Sequence, residues 1–511
     1  MSQDSNSHAP ASVARIVPGL ADAPTEVDVL VVGLGVTGAG VALDAAARGL
    51  SVLAVDAHDV AFGTSRWSSK LVHGGLRYLA HGQVGVAHES AVERGVLMET
   101  TAPHLTRPMP MLLPLTGGVS FTQATLASAG FRAGDALRIA AGTSVRTLPH
   151  PRRVSVVETL RMAPSLRRSG LRGGLLSWDG QLEDDARLVT CLARTAASHG
   201  AAVRTHARAV SASGTQARLR DELTGQTHDV RARAVVNATG VWAGSLVENV
   251  TLKPSRGTHL VLRAETLPGL SAALTVPIPG TTSRFVFALP QPDGTVYAGL
   301  TDEEIEGEIP DVPEAPESDI GFLMDVVNLA LERHIRREDV VGAYAGLRPL
   351  LDAGGATSDL SRTHAVLTSE SGVVTVVGGK LTTYRRMAED AVDATGVTAE
   401  SSQTRSLPLL GAASREALAS LSEPERLVRR FGTEASLVLD TAREASGLSD
   451  DELLTPGPRG VTLAELIFGV THEGAADASD LLDRRTRLGL VPADREAALP
   501  LAERALAVAN G

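Results

Sequence analysis

The sequence of 511 residues predicts an α/β fold, α+β overall, with a parallel βαβ unit, an antiparallel sheet and C-terminal helices. Three observations predict it. An apolar run, a glycine-rich turn and a helical stretch follow one another near the N-terminus. Short alternating segments follow from residue 253, and apolar residues take helical spacing beyond residue 398. At about 100–200 residues per domain, a chain of this length holds two to four domains.

Composition excludes several classes of protein. Hydrophobic residues make up 43% of the chain and charged residues 21%, which is a globular balance and not that of a disordered chain. A net charge of −11 argues against attraction of nucleic acid or anionic lipid by the whole surface. A chain with this net charge can still carry local basic areas. The single cysteine, Cys191, excludes an intrachain disulfide and a cysteine-rich metal site. The run Asp302-Glu-Glu304 resembles a metal site but is interpreted as surface charge, so no metal is predicted.

The N-terminal region carries no sign of export or membrane insertion. Residues 1–25 are expected to form a flexible tail, because they contain no charged region followed by an apolar core of signal-peptide length. The apolar stretch from Val27 to Val55 is interrupted by Asp44, Arg48 and several glycines before about 20 apolar residues accumulate. A cytoplasmic location is therefore expected.

The first strong motif is a βαβ unit. Val27–Val32 reads as a buried strand, Ala39–Arg48 as a helix and Ser51–Asp56 as a second strand that ends in a carboxylate. The turn between the first strand and the helix is Gly33-Leu-Gly-Val-Thr-Gly38. This order and spacing predict a dinucleotide-binding unit.

Each glycine of this motif has a physical reason. Gly33 permits the tight turn, Gly35 lets the backbone approach a pyrophosphate, and Gly38 allows close packing of helix on strand. Asp56 is placed to accept hydrogen bonds from a ribose hydroxyl. FAD and NAD share this pattern, so the motif alone leaves the choice between them open.

A second motif follows directly: Thr64-Ser-Arg-Trp-Ser-Ser-Lys-Leu-Val-His-Gly-Gly-Leu-Arg-Tyr-Leu79. Its hydroxyls, paired glycines and cations suit a loop that wraps a phosphate-bearing cofactor. It resembles the flavin-proximal motif of the aerobic, FAD-dependent glycerol-3-phosphate dehydrogenase family. Three further stretches resemble the same family: Gly346–Pro349, Val377–Arg385 and Arg484–Leu490.

This resemblance implies a glutathione-reductase-like FAD-binding domain with an antiparallel-sheet substrate cap and a C-terminal helical domain. It implies that sn-glycerol 3-phosphate is oxidised to dihydroxyacetone phosphate by hydride transfer from C2 to FAD. Electrons would pass to a quinone, with peripheral contact at the inner face of the cytoplasmic membrane. A homodimer is a further expectation, and no nucleic acid partner is expected.

The expected domains follow from the same reading. Residues 26–252 and 340–397 form a discontinuous FAD-binding domain, and residues 253–339 form the substrate cap. Residues 398–511 form the helical domain, whose role in packing, dimerisation or regulation is left open. Its helices are predicted within Ser414–Phe431, Thr433–Ala445, Leu463–Val470 and Leu501–Ala509.

A phosphorylated polyol requires cations for its dianion and hydrogen-bonding groups for its hydroxyls. By the resemblance, Arg77, Arg348 and Arg362 are expected to bind the anion, with Tyr78 and Thr301 nearby. The residues expected to bind the cofactor are Gly33, Gly35, Gly38, Asp56, Ser69, Lys70, Gly74, Gly75, Gly240, Gly379, Leu381 and Thr382.

Catalysis requires a base near the C2 hydroxyl, and His73 is the first candidate. The alternatives are that His73 is structural or only contacts the flavin, or that His259 is the base. Arg348 and Lys380 complete the expected catalytic set. Lysine occurs at only three positions, 70, 253 and 380, among 48 basic residues, which draws attention to Lys380. It should lie at a helix N-terminus that stabilises negative charge on the reduced flavin.

Two other functions are compatible with these motifs. One is an oxidase of the same fold that uses dioxygen as the acceptor. The other is a non-catalytic FAD-binding anion sensor, in which the arginines bind a regulatory ligand.

Overall fold

The structure is a computed structural model that describes residues 14–75, 78–79, 82–248, 250–281, 284–351 and 363–511. Within these residues the chain forms two large sheets and a helical C-terminal region. The strands are β1 (Val17–Pro18), β2 (Glu26–Val32), β3 (Val52–Val55), β4 (Leu71–Val72), β5 (Thr106–Pro114), β6 (Arg152–Val154), β7 (Gly174–Leu182), β8 (Ala202–Thr205), β9 (Ala207–Ala212), β10 (Gln216–Asp221), β11 (Thr227–Asn237), β12 (Ser255–Arg263), β13 (Ala273–Pro277), β14 (Phe285–Pro290), β15 (Thr295–Gly299), β16 (Glu303–Glu304), β17 (Val340–Arg348), β18 (Ala365–Thr368) and β19 (Val374–Val377).

The α-helices lie between and after these strands. They are α1 (Val36–Ala47), α2 (Val84–Val96), α3 (Phe121–Ala140), α4 (Val156–Met162), α5 (Asp185–Ser198), α6 (Ala243–Leu246), α7 (Glu317–Asn328), α8 (Tyr384–Thr395), α9 (Arg415–Ala419), α10 (Glu425–Phe431), α11 (Ala435–Ser446), α12 (Asp450–Leu454), α13 (Leu463–Thr471), α14 (Ala478–Asp480) and α15 (Pro492–Asn510).

The first sheet has a parallel centre in the order β8, β3, β2, β11 and β19. Val32 lies opposite both Val55 and Asn237, so the carboxyl ends of β2, β3 and β11 meet at one edge. The antiparallel strands β9 and β10 extend from the first part of β11. Ligands in open parallel sheets bind beside such carboxyl ends, which makes this edge the expected cofactor site.

The predicted βαβ unit is present as β2, α1 and β3. Val29 and Val31 of β2 are fully buried, as a parallel strand covered on both faces requires. Helix α1 packs against α5 and α8, and its small residues Ala39, Ala42 and Ala45 are fully buried in the same core.

The second sheet runs β16, β12, β15, β14, β13, β5, β7 and β4, with β17 paired to β12 and β6 paired to β7. It therefore differs from the expected cap of residues 253–339. Strands β4 to β7 come from the segment expected in the FAD-binding domain, and so does β17. The reason is long-range pairing: β5 aligns with β7 from Thr106 to Pro114, and β17 aligns with β12 from Ser255 to Leu262.

The C-terminal region is helical, and Leu466, Ile467 and Phe468 are fully buried in its core. The stretch Ser414–Phe431, within which helical structure is predicted, forms two helices, α9 and α10, and Pro424, which lacks a backbone N–H, is the residue directly before α10. Across the described residues, every helix is too short or too polar to span a bilayer.

Candidate active site

A cavity of about 470 Å³ opens at the carboxyl ends of the parallel strands, between the two sheets. The first sheet contributes the glycine turn and Asp56 to its lining. The second sheet contributes Gly257, His259 and Arg348. The cavity therefore joins a dinucleotide-binding turn to a set of polar side chains from the other sheet.

The glycine turn has the geometry that the sequence predicts. Gly33 has φ +100°, and a Cβ there would lie 2.6 Å from the carbonyl oxygen of Ala238. A Cβ on Gly38 would collide with the carbonyl oxygen of Gly33, which explains the close approach of α1 to β2. Gly35 lines the cavity, and the nearest atom to a Cβ there is Ser65 Oγ at 3.1 Å. The turn leaves a cradle for a pyrophosphate at the N-terminus of α1.

Asp56 lines the cavity at the end of β3. Its carboxylate accepts hydrogen bonds from the backbone N–H groups of Leu34 at 2.7 Å and His58 at 2.9 Å. Burial raises the pKa of Asp56 above its usual range, against the lowering effect of these two donors. Each oxygen keeps capacity for another donor, so the carboxylate fits a ribose hydroxyl. The cradle and this carboxylate together fit a dinucleotide.

The turn after Asp56 is held by the C-terminal helices. Asp59 is buried and accepts hydrogen bonds from Arg484 Nε at 2.7 Å and from both terminal nitrogens of Arg485, at 2.7 and 2.8 Å. The neighbouring His58 stacks on Phe62, with 3.9 Å between ring centroids. We call Asp59, Arg484 and Arg485 the arginine clamp.

The loop with the second motif is anchored on both sides. Ser69 lines the cavity, and its Oγ lies 2.8 Å from His259 Nε2. Lys70 is absent from the lining: its ammonium donates to Asp185 Oδ2 at 2.8 Å and to the Arg66 carbonyl oxygen at 2.6 Å. Lys70 was predicted as a cofactor ligand, but the structure places it as a buried anchor of the loop on α5.

The paired glycines of this loop also lie outside the lining, among the described residues. A Cβ on Gly74 would collide with the guanidinium of Arg94. Gly75 has φ +78°, and a Cβ there would lie 2.9 Å from Ala87 Cα. The structure thus explains Gly74 and Gly75 by packing against α2, whereas the prediction made them cofactor ligands.

His73 lines the cavity and faces a carboxylate. Its Nδ1 lies 3.3 Å from Asp179 Oδ2, and its backbone N–H donates to Thr382 Oγ1. Asp179 also accepts from Arg94 Nη1 at 2.7 Å. Burial alone would raise the pKa of Asp179, but Arg94 and His73 outweigh it and lower the pKa to about 2. A carboxylate held ionised beside an imidazole orients the ring and stabilises its protonated form.

His259 also lines the cavity but is fully enclosed. It stacks on Tyr344, with 4.8 Å between centroids, and Nδ1 has no hydrogen-bond partner within the described protein. Burial lowers its pKa well below the ordinary value, and the positive charges of Lys70 and Arg348 add to this effect. His259 is thus held neutral.

Arg348 lines the cavity at the end of β17. Its Nη1 donates to Ser255 Oγ and Asp302 Oδ1, both at 3.1 Å, and Nη2 donates to the Thr301 carbonyl oxygen. The side chain of Thr301 does not reach the lining, because its hydroxyl accepts from the backbone N–H of Thr258 on β12 and donates to Asp319 on α7. Thr301 therefore positions Arg348, which differs from the predicted substrate contact.

Lys380 lines the cavity between β19 and α8. Its Nζ donates to Ser90 Oγ at 2.6 Å and lies 4.1 Å from the ring centroid of Tyr78. Gly379, Leu381 and Thr382 are also in the lining. The predicted helix begins with a 3-10 turn, Leu381–Thr383, before α8.

The remaining predicted residues divide into two groups. Gly240, with φ +61°, lines the cavity, and the space around its missing Cβ is open within 4 Å. Arg77 and Arg362 lie outside the described residues. In the described ranges, no three histidine, cysteine or carboxylate side chains are grouped to hold a metal ion.

Sequence reasoning missed Asp179 and Arg94. A signal was available for Asp179, because it interrupts the apolar strand β7 between Trp178 and Gly180. Arg94 carried no comparable signal. It lies on α2 among ordinary helix residues, and only the fold brings it to Asp179.

Comparison with known proteins gives two family matches. Residues 28–385 match the model described as FAD dependent oxidoreductase. Residues 402–510 match the C-terminal domain of alpha-glycerophosphate oxidase.

Several curated relatives cover nearly the whole chain. Glycerol-3-phosphate dehydrogenase 1 of Mycobacterium tuberculosis is 54% identical over 488 residues, which is 93% of this chain and 94% of the relative. Glycerol-3-phosphate dehydrogenase 2 of the same organism is 36% identical over 491 residues, covering 91% of this chain and 81% of the relative.

Solved structures show the same architecture. Glycerol-3-phosphate dehydrogenase from Bacillus halodurans, complexed with FAD, superposes with a TM-score of 0.73 at 29% identity, covering 96% of this chain and 92% of that chain. The L-alpha-glycerophosphate oxidase of Mycoplasma pneumoniae has a TM-score of 0.57 at 16% identity, covering 75% of this chain and 99% of that chain, and it supports the fold alone.

Proposed function

Since the chain belongs to the FAD-dependent glycerol-3-phosphate dehydrogenase family, we propose that it oxidises sn-glycerol 3-phosphate to dihydroxyacetone phosphate in the cavity between the sheets. The predicted fold class and FAD as the cofactor are confirmed by the family match and the Bacillus halodurans structure. The observation that carries the proposal is the joining, in one cavity, of the dinucleotide cradle, the cations Arg348 and Lys380, and His73, whose ring faces Asp179 behind the lining.

The cradle at Gly35 and the carboxylate of Asp56 would hold the pyrophosphate and ribose of FAD. The segment Gly379–Thr382 lines the cavity and would hold the other end. When bound, FAD supplies a two-electron oxidant that accepts the hydride from C2 of the substrate.

The phosphate of the substrate would be bound by cations. Arg348 offers a guanidinium held in place by Asp302, Ser255 and the Thr301 carbonyl oxygen. Lys380 adds a compact charge fixed by Ser90 and Tyr78. Burying a dianion without such partners is too costly, so the cations select the phosphorylated polyol over glycerol. Arg77 and Arg362 are proposed as further cations of this set, and Tyr78, beside Lys380, as a nearby contact of the substrate.

His73 would take the proton of the C2 hydroxyl. Its imidazole lines the cavity, and the ionised Asp179 stabilises the imidazolium that forms. Arg94 keeps Asp179 ionised and in place. His259 is the less suitable base, because burial and two nearby cations oppose its protonation.

The test is anaerobic mixing of the purified FAD-loaded protein with glycerol 3-phosphate while the flavin absorbance is followed. We expect bleaching together with formation of dihydroxyacetone phosphate, and no comparable bleaching with glycerol. Full FAD content without bleaching would reject the oxidation and favour the non-catalytic anion sensor.

The acceptor is proposed to be a quinone, reached by peripheral contact with the inner face of the cytoplasmic membrane. We expect a water-soluble quinone analogue to reoxidise the reduced protein faster than air-saturated buffer does. Hydrogen peroxide formed in equal amount to the substrate consumed would instead identify an oxidase. A homodimer stays a prediction, to be measured by light scattering.

A further inference from the structure

Helix α3 lies on the surface with an unusual outer face. Of its twenty residues only Arg138 is buried. Its inner side packs through Ala124, Ala127 and Phe131 onto a small cluster formed by Leu113, Leu115, Val119 and Leu175. The helix thus packs on the second sheet through this cluster and also lies against α2, while half of its residues are exposed.

The outward side of α3 is apolar. Phe121 is 79% exposed, Leu126 is 61% exposed and Ile139 is 59% exposed. The other exposed positions of the helix are four alanines, Ala129, Ala133, Ala136 and Ala140, and three polar residues, Thr122, Thr125 and Arg132. Asp135, the one acidic residue of the helix, is only partly exposed. A helix in contact with water normally carries charged residues on this side, so the composition indicates a partner with apolar character.

The surrounding segment is strongly basic, although the chain as a whole has a net charge of −11. Residues 121–172 contain nine arginines and two acidic residues. Both acids are paired within the segment: Asp135 forms a salt bridge with Arg138 and contacts His150, and Glu158 forms a salt bridge with Arg152.

The other arginines keep their charge available. Arg132 lies on the outward side of α3, Arg146 in the loop after the helix and Arg153 on β6, and all three are exposed. Within the described part of the chain these three form no ion pair. The guanidinium of Arg172 reaches the carbonyl oxygens of Thr116 and Val119, just before the helix begins.

We propose that α3 and the arginines around it form the surface by which the protein docks on a membrane of anionic lipids. Phe121, Leu126 and Ile139 would enter the boundary between headgroups and acyl chains, and the arginines would contact lipid phosphates. The acidic remainder of the protein is repelled by the same membrane, so the charge asymmetry sets one orientation. The assignment rests on the proposed membrane contact and names its surface.

This surface is close to the proposed chemistry. Leu175, under α3, and Asp179, beside His73, lie on the same strand β7. Four residues of strand span about 13 Å. A lipid-soluble acceptor held at this face is therefore near the cavity.

The test is co-sedimentation of the FAD-loaded protein with vesicles. We compare phosphatidylcholine containing phosphatidylglycerol with phosphatidylcholine alone, and the wild type with the triple variant Phe121→Gln, Leu126→Gln, Ile139→Gln. The expected result is binding to the anionic vesicles, weakened about tenfold or more in the triple variant. Leu223→Gln, at an exposed leucine in the turn between β10 and β11, is the matched control and should bind like the wild type.

A second set of variants tests how much the arginine charges contribute to vesicle binding. Arg132→Glu with Arg146→Glu should lower binding to anionic vesicles and reduce its dependence on salt. FAD content and anaerobic bleaching should stay unchanged in all these variants, which separates docking from chemistry.

Three results would overturn the proposal. Equal binding by the wild type and the triple variant would place the surface elsewhere. Absence of wild-type binding to either vesicle would reject the membrane contact itself, while bleaching would still decide the oxidation. Conversion of a dimer to a monomer in the triple variant would make this face an interface between two copies.

Discussion

His73 and His259 line the same cavity but are chemically different. His73 has a carboxylate at 3.3 Å that can stabilise a positive charge, whereas His259 is buried and lies near two cations, Lys70 and Arg348. Ser69 fixes one nitrogen of His259. A base must accept a proton during the reaction, so the surroundings favour His73.

His73→Gln should slow flavin reduction by glycerol 3-phosphate about 10²–10⁴-fold while FAD content stays normal, because a proton acceptor is lost. Rapid mixing under anaerobic conditions measures this rate. Asp179→Asn should give a smaller loss, since it removes only the stabilising charge. Should His259→Gln slow the reaction by this factor and His73→Gln leave it intact, the two assignments would have to be exchanged.

The guanidinium of Arg348 is held in the cavity wall by three hydrogen bonds. Arg348→Ala should lower kcat/KM for glycerol 3-phosphate, with a loss of about 2–4 kcal/mol of transition-state stabilisation, because one partner of a desolvated ion pair is removed. The activity with glycerol should change far less. Asp302→Asn keeps the cation and serves as the control, with a milder effect expected. An equal loss for both substrates would show that Arg348 does not recognise the phosphate.

Lys380 fits its surroundings as a compact charge. Lys380→Arg should slow flavin reduction about tenfold or more without loss of FAD, because a planar guanidinium cannot keep both Ser90 and the Tyr78 ring. Ser90→Ala is the matched control for the hydrogen bond alone. An unchanged bleaching rate in the arginine variant would make the choice of lysine incidental.

At the scale of elements, the arginine clamp connects the C-terminal helices to the turn after β3. Arg484 and Arg485 hold Asp59, three residues beyond Asp56, whose carboxylate lines the cavity. The position of Asp56 thus depends on residues more than 400 positions later in the chain. This gives the C-terminal region a role in shaping the cofactor site.

Asp59→Asn should weaken FAD binding about tenfold and destabilise the protein by about 3–5 kcal/mol, since two buried guanidinium groups each lose one of their carboxylate partners. Titration of the apoprotein with FAD measures the first effect. Glu434→Gln is the control, because it breaks the Arg194–Glu434 pair, at 2.6 Å, away from the cavity lining. If both variants changed FAD affinity equally, the clamp would act only through overall stability.

The elements also show what the sequence could predict. The unit β2–α1–β3 was predictable, because strand burial, glycine spacing and helix composition are local properties of Glu26–Val55. The partners of Lys70 and His73 were not, since Asp185 and Asp179 lie more than 100 positions away. Lysine in a phosphate-binding motif looks the same in sequence whether its ammonium faces a ligand or a buried carboxylate.

At the scale of the whole molecule, His206 joins the first sheet to the C-terminal helices. Its Nε2 lies 3.2 Å from Asp480 Oδ2, and this hydrogen bond raises the pKa of His206 in spite of burial. A raised pKa means that the protonated form stabilises the fold. The stabilisation is complete below the ordinary histidine pKa of about 6.5 and is lost as the pH rises through the folded value.

His206→Gln should therefore cost about 1 kcal/mol of unfolding free energy at pH 6, and the difference from the wild type should shrink toward pH 9. Denaturant unfolding at a series of pH values checks this. A difference that stays constant with pH would mean that the ring acts by packing and not by charge.

The order in which the strands enter the sheets has a consequence for synthesis on the ribosome. β19, at Val374–Val377, completes the parallel centre beside β11, and β17 covers β12 only after residue 340. Until then the apolar edges of β11 and β12 lack their final neighbours. Most of the nascent chain must emerge before either sheet has all of its strands. At a synthesis rate of about 5–20 residues per second, unpaired strand edges are therefore exposed for seconds. Efficient production of this protein should therefore depend on chaperones that bind exposed apolar strands during translation.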